Sequence, residues 1–228
     1  NEPGSRCLSF IPGDIRKDEC VINVGTAGSI PLVIQAWLPV ALAEGGVLEV
    51  HGGTEVPASP TIDYLEKVLI PALGSVGEGI TVTVIRRGYY PAGGGLVRVS
   101  VEPADPAPLS IKKDVSCGIR SCSSGLPPHV AERQATRAHL LLSRALRIDI
   151  PVEIRRSEGV VKGSSCTAWC GSKGASSLGR PGFPAEKVGE EAATGLINEI
   201  NSQGEVDAYL SDQLLLYLAR YGGSYTAS

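Results

Sequence analysis

Apolar residues recur along this chain with two different periods, and segments of the two kinds alternate. The first helical pattern consists of the apolar positions Ile30, Val33, Ile34, Trp37, Leu38 and Ala41. This spacing of three and four residues places the side chains on one face of a helix. Thr26 or Ser29 is suited to cap the helix, Pro31 fits its first turn, and Gly45–Gly46 is expected to end it.

Strand patterns surround this helix and a second one, which is expected at residues 62 to 73. Strands are expected at residues 18 to 24, Val47–Val50, Ile80–Arg86 and Leu96–Val101. The predicted order is therefore strand, helix, strand, helix, strand, strand. The last two strands are close enough in sequence to form a hairpin around the loop from Gly88 to Gly95.

A similar order begins again in the second half of the chain. The expected elements are strands at residues 115 to 120 and 150 to 154 and helices at residues 130 to 145, 188 to 200 and 209 to 221. Residues 157 to 184 are rich in Gly, Ser and Pro, and this composition predicts a loop. Alternating helices and strands predict the α/β (α+β) class, with mixed sheets because a hairpin and helical crossovers are both present.

Composition limits the classes of function. Apolar residues make up 43% and charged residues 20% of the 228 residues, which is typical of a folded globular protein. The longest apolar run, residues 30 to 43, is interrupted by Pro31, Gln35 and Pro39. We therefore expect no membrane span. The sequence does not open with a basic segment followed by an apolar stretch, so we expect no secretory signal and a cytoplasmic protein.

The net charge of −3 is not that of a protein with a global basic field. Local basic pairs occur at Arg86–Arg87, Lys112–Lys113 and Arg155–Arg156. Any nucleic acid would be bound locally, at an end or in a cleft. The alternative is that each pair lies on a solvated surface.

The cysteine spacing does not favour a metal site. The six cysteines are Cys7, Cys20, Cys117, Cys122, Cys166 and Cys170, and none forms a C-x-x-C pair. Structural zinc sites usually have that closer spacing, so unpaired and mostly buried thiols in a reducing compartment are expected.

The stretch YYPAGGG, within the predicted hairpin loop, has two interpretations. Glycine is the usual residue where a turn needs positive φ, which is a purely structural role. Alternatively, the bare backbone allows N–H groups to approach a phosphate, while Tyr89, Tyr90 or Pro91 offers a flat surface to a base.

Three other stretches have the same dual character. The N-terminus of the helix after GTAGS is either a capped turn or an anion site, and Gln35 on that helix is an amide that needs a partner. His51 is either a structural group or a proton carrier. In YLSDQLLLYLA, one interpretation is that Asp212 and Gln213 are ordinary polar residues that favour the start of a helix. The other is that they read the edge of a base or hold a metal, while Tyr209 stacks on the base.

Taken together and in this order, several motifs resemble the RNA 3′-terminal phosphate cyclase family, in its archaeal type. The motifs are GTAGSIPLVIQAWLP, HGGTEVPASPTIDYL, RRGYYPAGGG, GLPPHVAER and YLSDQLLL. The resemblance covers nearly the whole chain. It implies repeated βαβαββ units, each with a four-stranded sheet and two helices, and a smaller inserted α/β domain. The implied division is core repeats at residues 1–143 and 204–228 and the insert at residues 144–203.

The resemblance also implies a reaction. A ligase of this family uses ATP and a divalent metal (Mg²⁺ or Mn²⁺) to convert an RNA 3′-terminal phosphate to a 2′,3′-cyclic phosphodiester. The implied intermediates are enzyme–AMP, formed on a histidine, and RNA–adenylate. The implied partners are RNA 3′-phosphate ends, and the implied role is RNA processing.

Site residues follow from the matching motifs. The resemblance implies ATP-binding roles for Gln35, Pro91, Tyr209, Leu210, Ser211, Asp212 and Gln213. Pro91 would pack against adenine opposite Tyr209. The nucleophilic histidine is expected beyond Ser228, so His51, His129 and His139 are not assigned to it, and no metal ligand is assigned.

The ends of the sequence carry a further expectation. The sequence begins at Asn1 and contains no methionine, so we expect either that it is part of a longer chain or that modified methionines are missing from it. The family's N-terminal repeat and its C-terminal histidine segment would then lie outside it.

Two other functions remain open at this point. One is a non-catalytic cyclase-like protein that acts in ribosomal RNA processing. The other is an enolpyruvyl transferase-like enzyme, which would need a cluster of basic residues that the sequence does not show.

Overall fold

The first half of the protein forms the predicted βαβαββ unit. The computed structural model describes residues 4–7, 9–11, 13, 19–105, 107–111, 116–159 and 161–228. Four strands form one sheet in the order β1-β2-β4-β3. These strands are β1 (Cys20–Asn23), β2 (Gly46–Gly52), β3 (Ile80–Arg86) and β4 (Gly95–Val101). β1 and β2 are parallel, and β4 is antiparallel to both of its neighbours. The predicted hairpin is confirmed.

Two helical segments cover this sheet. Helix α1 (Ile30–Glu44) begins at Ser29, whose side chain accepts from the Leu32 N–H, and ends at Gly45 with φ 76°. The second segment is continuous and consists of α2 (Ile62–Tyr64), a π-helical turn (Leu65–Leu69) and α3 (Ile70–Ala72). The buried core between the helices and the sheet contains Ile34, Leu38, Leu65, Val97 and Val99, among others.

The second half forms a different unit, with the order βαβββα. Its elements are β6 (Cys117–Ser124), α4 (His129–Leu146), β7 (Val152–Ser157), β8 (Gly163–Cys170), β9 (Lys173–Leu178) and α5 (Ala185–Asn201). The four strands lie in the order β7-β6-β8-β9, with β6 and β7 parallel. Helices α4 and α5 cover this sheet through Leu142, Val188 and Leu196.

The predicted loop at residues 157 to 184 is wrong, because β8 and β9 form an antiparallel hairpin there. Its small residues serve packing rather than flexibility. A Cβ on Gly163 would lie 2.1 Å from the Tyr89 ring, and a Cβ on Gly174 would lie 2.6 Å from Val68 Cγ2. Small residues on these strands therefore let the second sheet approach the first unit closely.

The implied domain division at residues 143 and 144 does not coincide with the division between the two sheets. β6 and α4 lie before residue 144, and they share a sheet and a core with β7, β8 and α5. The predicted strand at residues 115 to 120 corresponds to β6, except that residue 115 lies outside the described residues, as do residue 18 of the first predicted strand and the pair Lys112–Lys113.

The chain returns to the first unit through its last helix. Helix α6 (Ala208–Tyr221) places Leu210, Leu214 and Tyr217 in the same core as α1. The short strand β10 (Gly223–Ser224) then pairs with β5 (Leu109–Ser110), which precedes the second unit. The second unit is therefore held between two segments that belong to the first.

The expectation of unpaired cysteines is wrong for one pair. Cys117 and Cys170 are joined by a disulfide, and they occupy directly opposed positions on β6 and β8. Cys122 and Cys166 are buried thiols, whereas Cys7 and Cys20 are exposed. Sequence spacing missed the pair because antiparallel pairing, rather than proximity in sequence, brings the two residues together.

Within the described ranges, no helix has both the length and the apolar character to cross a membrane. The same residues include no group of three or more His, Cys, Asp or Glu side chains that could hold a metal ion.

Candidate functional site

A large cleft lies between the two units. Its volume is about 1520 Å³. Its walls come from the loop after β2, the β3–β4 hairpin, β8, β9, the start of α4, one face of α5 and the start of α6. Three of the residues predicted to bind a nucleotide line this cleft, namely Pro91, Tyr209 and Gln213. They come from segments far apart in the sequence.

The hairpin tip is held by close contacts with the first unit. Gly93 and Gly94 have φ values of 71° and 75°, and a Cβ on Gly93 would lie 2.7 Å from the Thr26 carbonyl oxygen. The Gly93 N–H donates to the Tyr89 carbonyl at 2.8 Å. The glycines therefore have a structural role. Their packing leaves Tyr90 and Pro91 exposed at the edge of the cleft.

The start of α6 supplies the facing residues. Tyr209 is 72% exposed although it is a large aromatic residue. Gln213 lies one turn further along the helix, and its buried Oε1 has no hydrogen-bond partner among the residues that the structure describes. A buried amide oxygen without a donor is costly unless a ligand or water supplies one. Tyr209 and Gln213 therefore have the properties of ligand-binding side chains.

The other predicted site residues do not line the cleft with their side chains. Leu210 is fully buried in the core of the first unit. The Ser211 hydroxyl donates to the Ala208 carbonyl at 2.8 Å, and Asp212 is exposed. Gln35 is half-buried on α1, and its Nε2 has no partner within the described part of the chain.

The possible anion site after GTAGS is occupied by internal hydrogen bonds. The Ile30 N–H donates to the Gly53 carbonyl at 2.9 Å, and the Leu32 N–H donates to Ser29 Oγ at 3.2 Å. The structure therefore supports the capped turn. His51 lies 3.1 Å from Glu49, and His139 lies 2.9 Å from Asp149, so both histidines pair with carboxylates outside the cleft lining.

A network of buried, charged side chains lies at the contact between the two units, and sequence patterns did not predict it. Arg87 donates to both oxygens of Asp63, at 2.6 and 2.8 Å, and to Glu55. Arg120 of β6 donates to Asp63 and Glu66 of the first unit, each at 2.8 Å. Because Arg120 belongs to the second sheet, these ion pairs connect the two units. The basic pair Arg86–Arg87 was noted in the sequence, but no local pattern predicted that Arg87 is buried against Asp63.

The carboxyls of this network differ in pKa. Burial raises the pKa of Glu55 to about 7, despite the opposing charge of Arg87. Burial also acts to raise the pKa of Asp63, but the charges and hydrogen bonds of Arg87 and Arg120 outweigh it and hold that pKa below its ordinary value. Asp63 is therefore the ionised partner of the two arginines.

The raised pKa of Glu55 predicts a pH-dependent stability. Between its ordinary value of 4.5 and about 7, the folded protein holds a proton on Glu55 that the unfolded chain releases. The free energy of unfolding should therefore fall as pH rises through this window. Glu55→Gln should remove that fall, as measured by urea unfolding across the window. Glu132→Gln, at an exposed carboxyl, is the control, and parallel profiles for Glu55→Gln and the wild type would contradict the prediction.

Comparison with known proteins agrees with the motifs. A family model described as RNA 3′-terminal phosphate cyclase matches residues 1–228. The RNA 3′-terminal phosphate cyclase of Methanococcoides burtonii is 41% identical in an alignment of 228 positions, which covers 98% of this chain and 68% of the relative. The proteins of the same name from Saccharolobus solfataricus and Methanothermobacter thermautotrophicus are 40% and 41% identical, over 99% and 98% of this chain and 69% and 68% of theirs. The chain therefore belongs to the RNA 3′-terminal phosphate cyclase family.

Proposed function

We propose that this protein catalyses the ATP-dependent conversion of an RNA 3′-terminal phosphate to a 2′,3′-cyclic phosphodiester, through enzyme–AMP and RNA–adenylate intermediates. The observation that carries the proposal is the meeting of Pro91, Tyr209 and Gln213 on one cleft. These residues were assigned to ATP from the family motifs alone. The fold brings them to the same surface from the hairpin and from α6.

The cleft residues fit a purine nucleotide chemically. An exposed aromatic ring and a proline offer flat apolar surfaces to a base. The unpartnered Oε1 of Gln213 offers an acceptor to a base amino group or a ribose hydroxyl. Tyr209, Gln213 and Pro91 would therefore hold the adenosine part of ATP.

ATP would supply AMP, which is a good leaving group on the RNA 3′-phosphate. Formation of enzyme–AMP on a histidine would break the bond between the α- and β-phosphates of ATP and release pyrophosphate. Transfer of AMP to the RNA 3′-phosphate would break the bond to that histidine and form RNA–adenylate. Attack by the neighbouring 2′-hydroxyl, with loss of its proton, would then close the ring and release AMP. The described residues would hold the nucleotide and the RNA end side by side. A divalent metal, Mg²⁺ or Mn²⁺, is part of the proposal, but no described residue is assigned to bind it.

The second unit would contact the RNA. Lys162 and Arg180 line its side of the cleft and are exposed. The Arg180 guanidinium lies 3.7 Å from the centre of the Phe183 ring. A cation stacked on an aromatic ring is suited to an unpaired base and its phosphate. We propose further that the whole unit from 117 to 201 is the inserted domain.

The test uses the full-length protein, α-labelled ATP and either Mg²⁺ or Mn²⁺. Label should become covalently attached to the protein. Added RNA that ends in a 3′-phosphate should release the label as AMP, and the RNA end should become resistant to phosphatase. RNA that ends in a 3′-hydroxyl is the control and should have no such effect. Absence of protein-bound label with both metals, together with a phosphatase-sensitive RNA end, would overturn the proposal in favour of the non-catalytic, RNA-processing alternative.

A further inference from the structure

Asp207, a buried carboxylate at the start of α6, occupies the point where three parts of the molecule meet. It is 0% exposed, and it lies two residues before Tyr209. The sequence motifs did not include it. Helix α6 begins directly after it, and Asp207 is the N-cap of that helix.

The two oxygens of Asp207 divide their hydrogen bonds between different elements. Oδ1 accepts from the Leu210 N–H of α6 at 2.8 Å. Oδ2 accepts from the Gly174 N–H of β9, in the second unit, also at 2.8 Å. The Tyr64 hydroxyl of α2, in the first unit, donates to both oxygens, at 2.7 and 2.8 Å. One side chain therefore connects α6 to both walls of the cleft.

The elements around Asp207 are closely packed. A Cβ on Gly174 would lie 2.6 Å from Val68 and 3.0 Å from the Tyr64 ring, so β9 and α2 are in direct contact at this point. Burial raises the pKa of Asp207, whereas the hydrogen bonds from Leu210, Tyr64 and Gly174 act to lower it. These donors satisfy the carboxylate inside the protein, which leaves it no role as a ligand for the nucleotide.

We propose that Asp207 is a positioning residue that fixes the first turn of α6 relative to both units, and thereby sets Tyr209 and Gln213 for nucleotide binding. This inference rests on the proposed function of the cleft. Without the link to Gly174, the helix keeps its cap but is held to the second unit more weakly, through the Asp207 N–H that donates to the Ser172 carbonyl at 3.4 Å. The ligand-binding side chains then have to be ordered when the nucleotide binds, which lowers affinity.

The test compares two variants that break different links. In Asp207→Asn, the amide oxygen still caps α6, but the amide nitrogen faces the Gly174 N–H as a second donor. Tyr64→Phe removes only the link to α2 and keeps the ring in place. Leu142→Val is the control, because it weakens the core of the second unit away from the cleft. Each variant is assayed in the full-length protein for ATP affinity and for the rate of protein labelling at saturating ATP.

We expect Asp207→Asn to weaken ATP binding about tenfold, the effect of one lost hydrogen bond to a charged group. The labelling rate at saturating ATP should change much less. Tyr64→Phe should have a smaller effect in the same direction, and the double variant should lose less than the product of the single effects. Leu142→Val should lower stability but keep ATP affinity.

Wild-type ATP affinity in Asp207→Asn, with a loss of stability like that of Leu142→Val, would show a purely structural role and overturn the inference. If Asp207→Asn does not fold, Tyr64→Phe decides instead, and unchanged affinity would again overturn it. A parallel assay of Tyr209→Ala separates this failure from failure of the proposed function. If Tyr209→Ala binds ATP like the wild type, the nucleotide site itself is misplaced.

Discussion

Replacing Arg87 by alanine is expected to lower the free energy of unfolding by about 3 to 5 kcal/mol, because it removes a buried positive charge and its hydrogen bonds from two buried carboxyls, Glu55 and Asp63. The Arg87 side chain is 12% exposed, and the Glu55 and Asp63 side chains that it contacts are 0% exposed. Asp63 keeps its ion pair with Arg120, but it loses two hydrogen bonds from Arg87. Urea unfolding at neutral pH measures the loss.

Arg133→Ala is the matched control for this prediction. Arg133 also forms a two-point ion pair with a carboxylate, Glu186, at 2.5 and 2.6 Å, but both side chains are more than 40% exposed. Water screens such a pair, so little stability should be lost. Equal losses in the two variants would refute the importance of burial. If Arg87→Ala does not fold, Arg87→Lys keeps the charge and should show a smaller loss.

Replacing Tyr209 by alanine is expected to weaken ATP binding by about 5-fold to 150-fold, the equivalent of one base stacked on an aromatic ring. Stability should change little, because the Tyr209 side chain is 72% exposed and lies outside the core. Titration of the full-length protein with ATP measures the affinity. The rate of protein labelling at low ATP should fall by a similar factor.

Two further variants identify the cause of that loss. Tyr209→Phe keeps the ring and should bind ATP nearly as well as the wild type. Leu216→Ala truncates a side chain on the same helix that is 61% exposed and does not line the cleft, so it should leave affinity unchanged. A weak Tyr209→Phe would assign the effect to the hydroxyl instead of stacking. Wild-type affinity in Tyr209→Ala would place the nucleotide elsewhere.

The spacing of apolar residues was sufficient to predict the elements of the first unit, because its helices and its sheet each direct an apolar face towards one shared core. The cap at Ser29, the end at Gly45 and the hairpin between β3 and β4 were all predicted from local patterns and are confirmed. The α/β (α+β) class is confirmed as well.

Periodicity failed for β8 and β9 because their composition resembles that of a loop. Ser164, Ser165 and Thr167 are buried polar residues, and tertiary packing, which a local pattern does not record, keeps them in strands. The expectation from periodicity that a similar order begins again also differs from the second half, where three strands follow α4 before α5 begins.

The candidate site was predictable only through the family motifs. No local pattern connects Pro91 with Tyr209, because their shared cleft depends on how the hairpin and α6 pack. Asp207 carried a usable signal, since an aspartate directly before an apolar helical pattern is a typical cap. Its links to Tyr64 and Gly174 span 143 and 33 residues of sequence, and only the structure shows them.

The return of α6 to the first unit has a consequence for the order of folding. Leu210, Leu214 and Tyr217 complete a core most of whose other members come from residues 30 to 109 and are made far earlier on the ribosome. Until the intervening second unit has been synthesised, that core has an uncovered apolar side. Closing so long a loop also slows the packing of α6 onto this core. A nascent chain stalled before residue 208 should therefore be the species that is prone to aggregate.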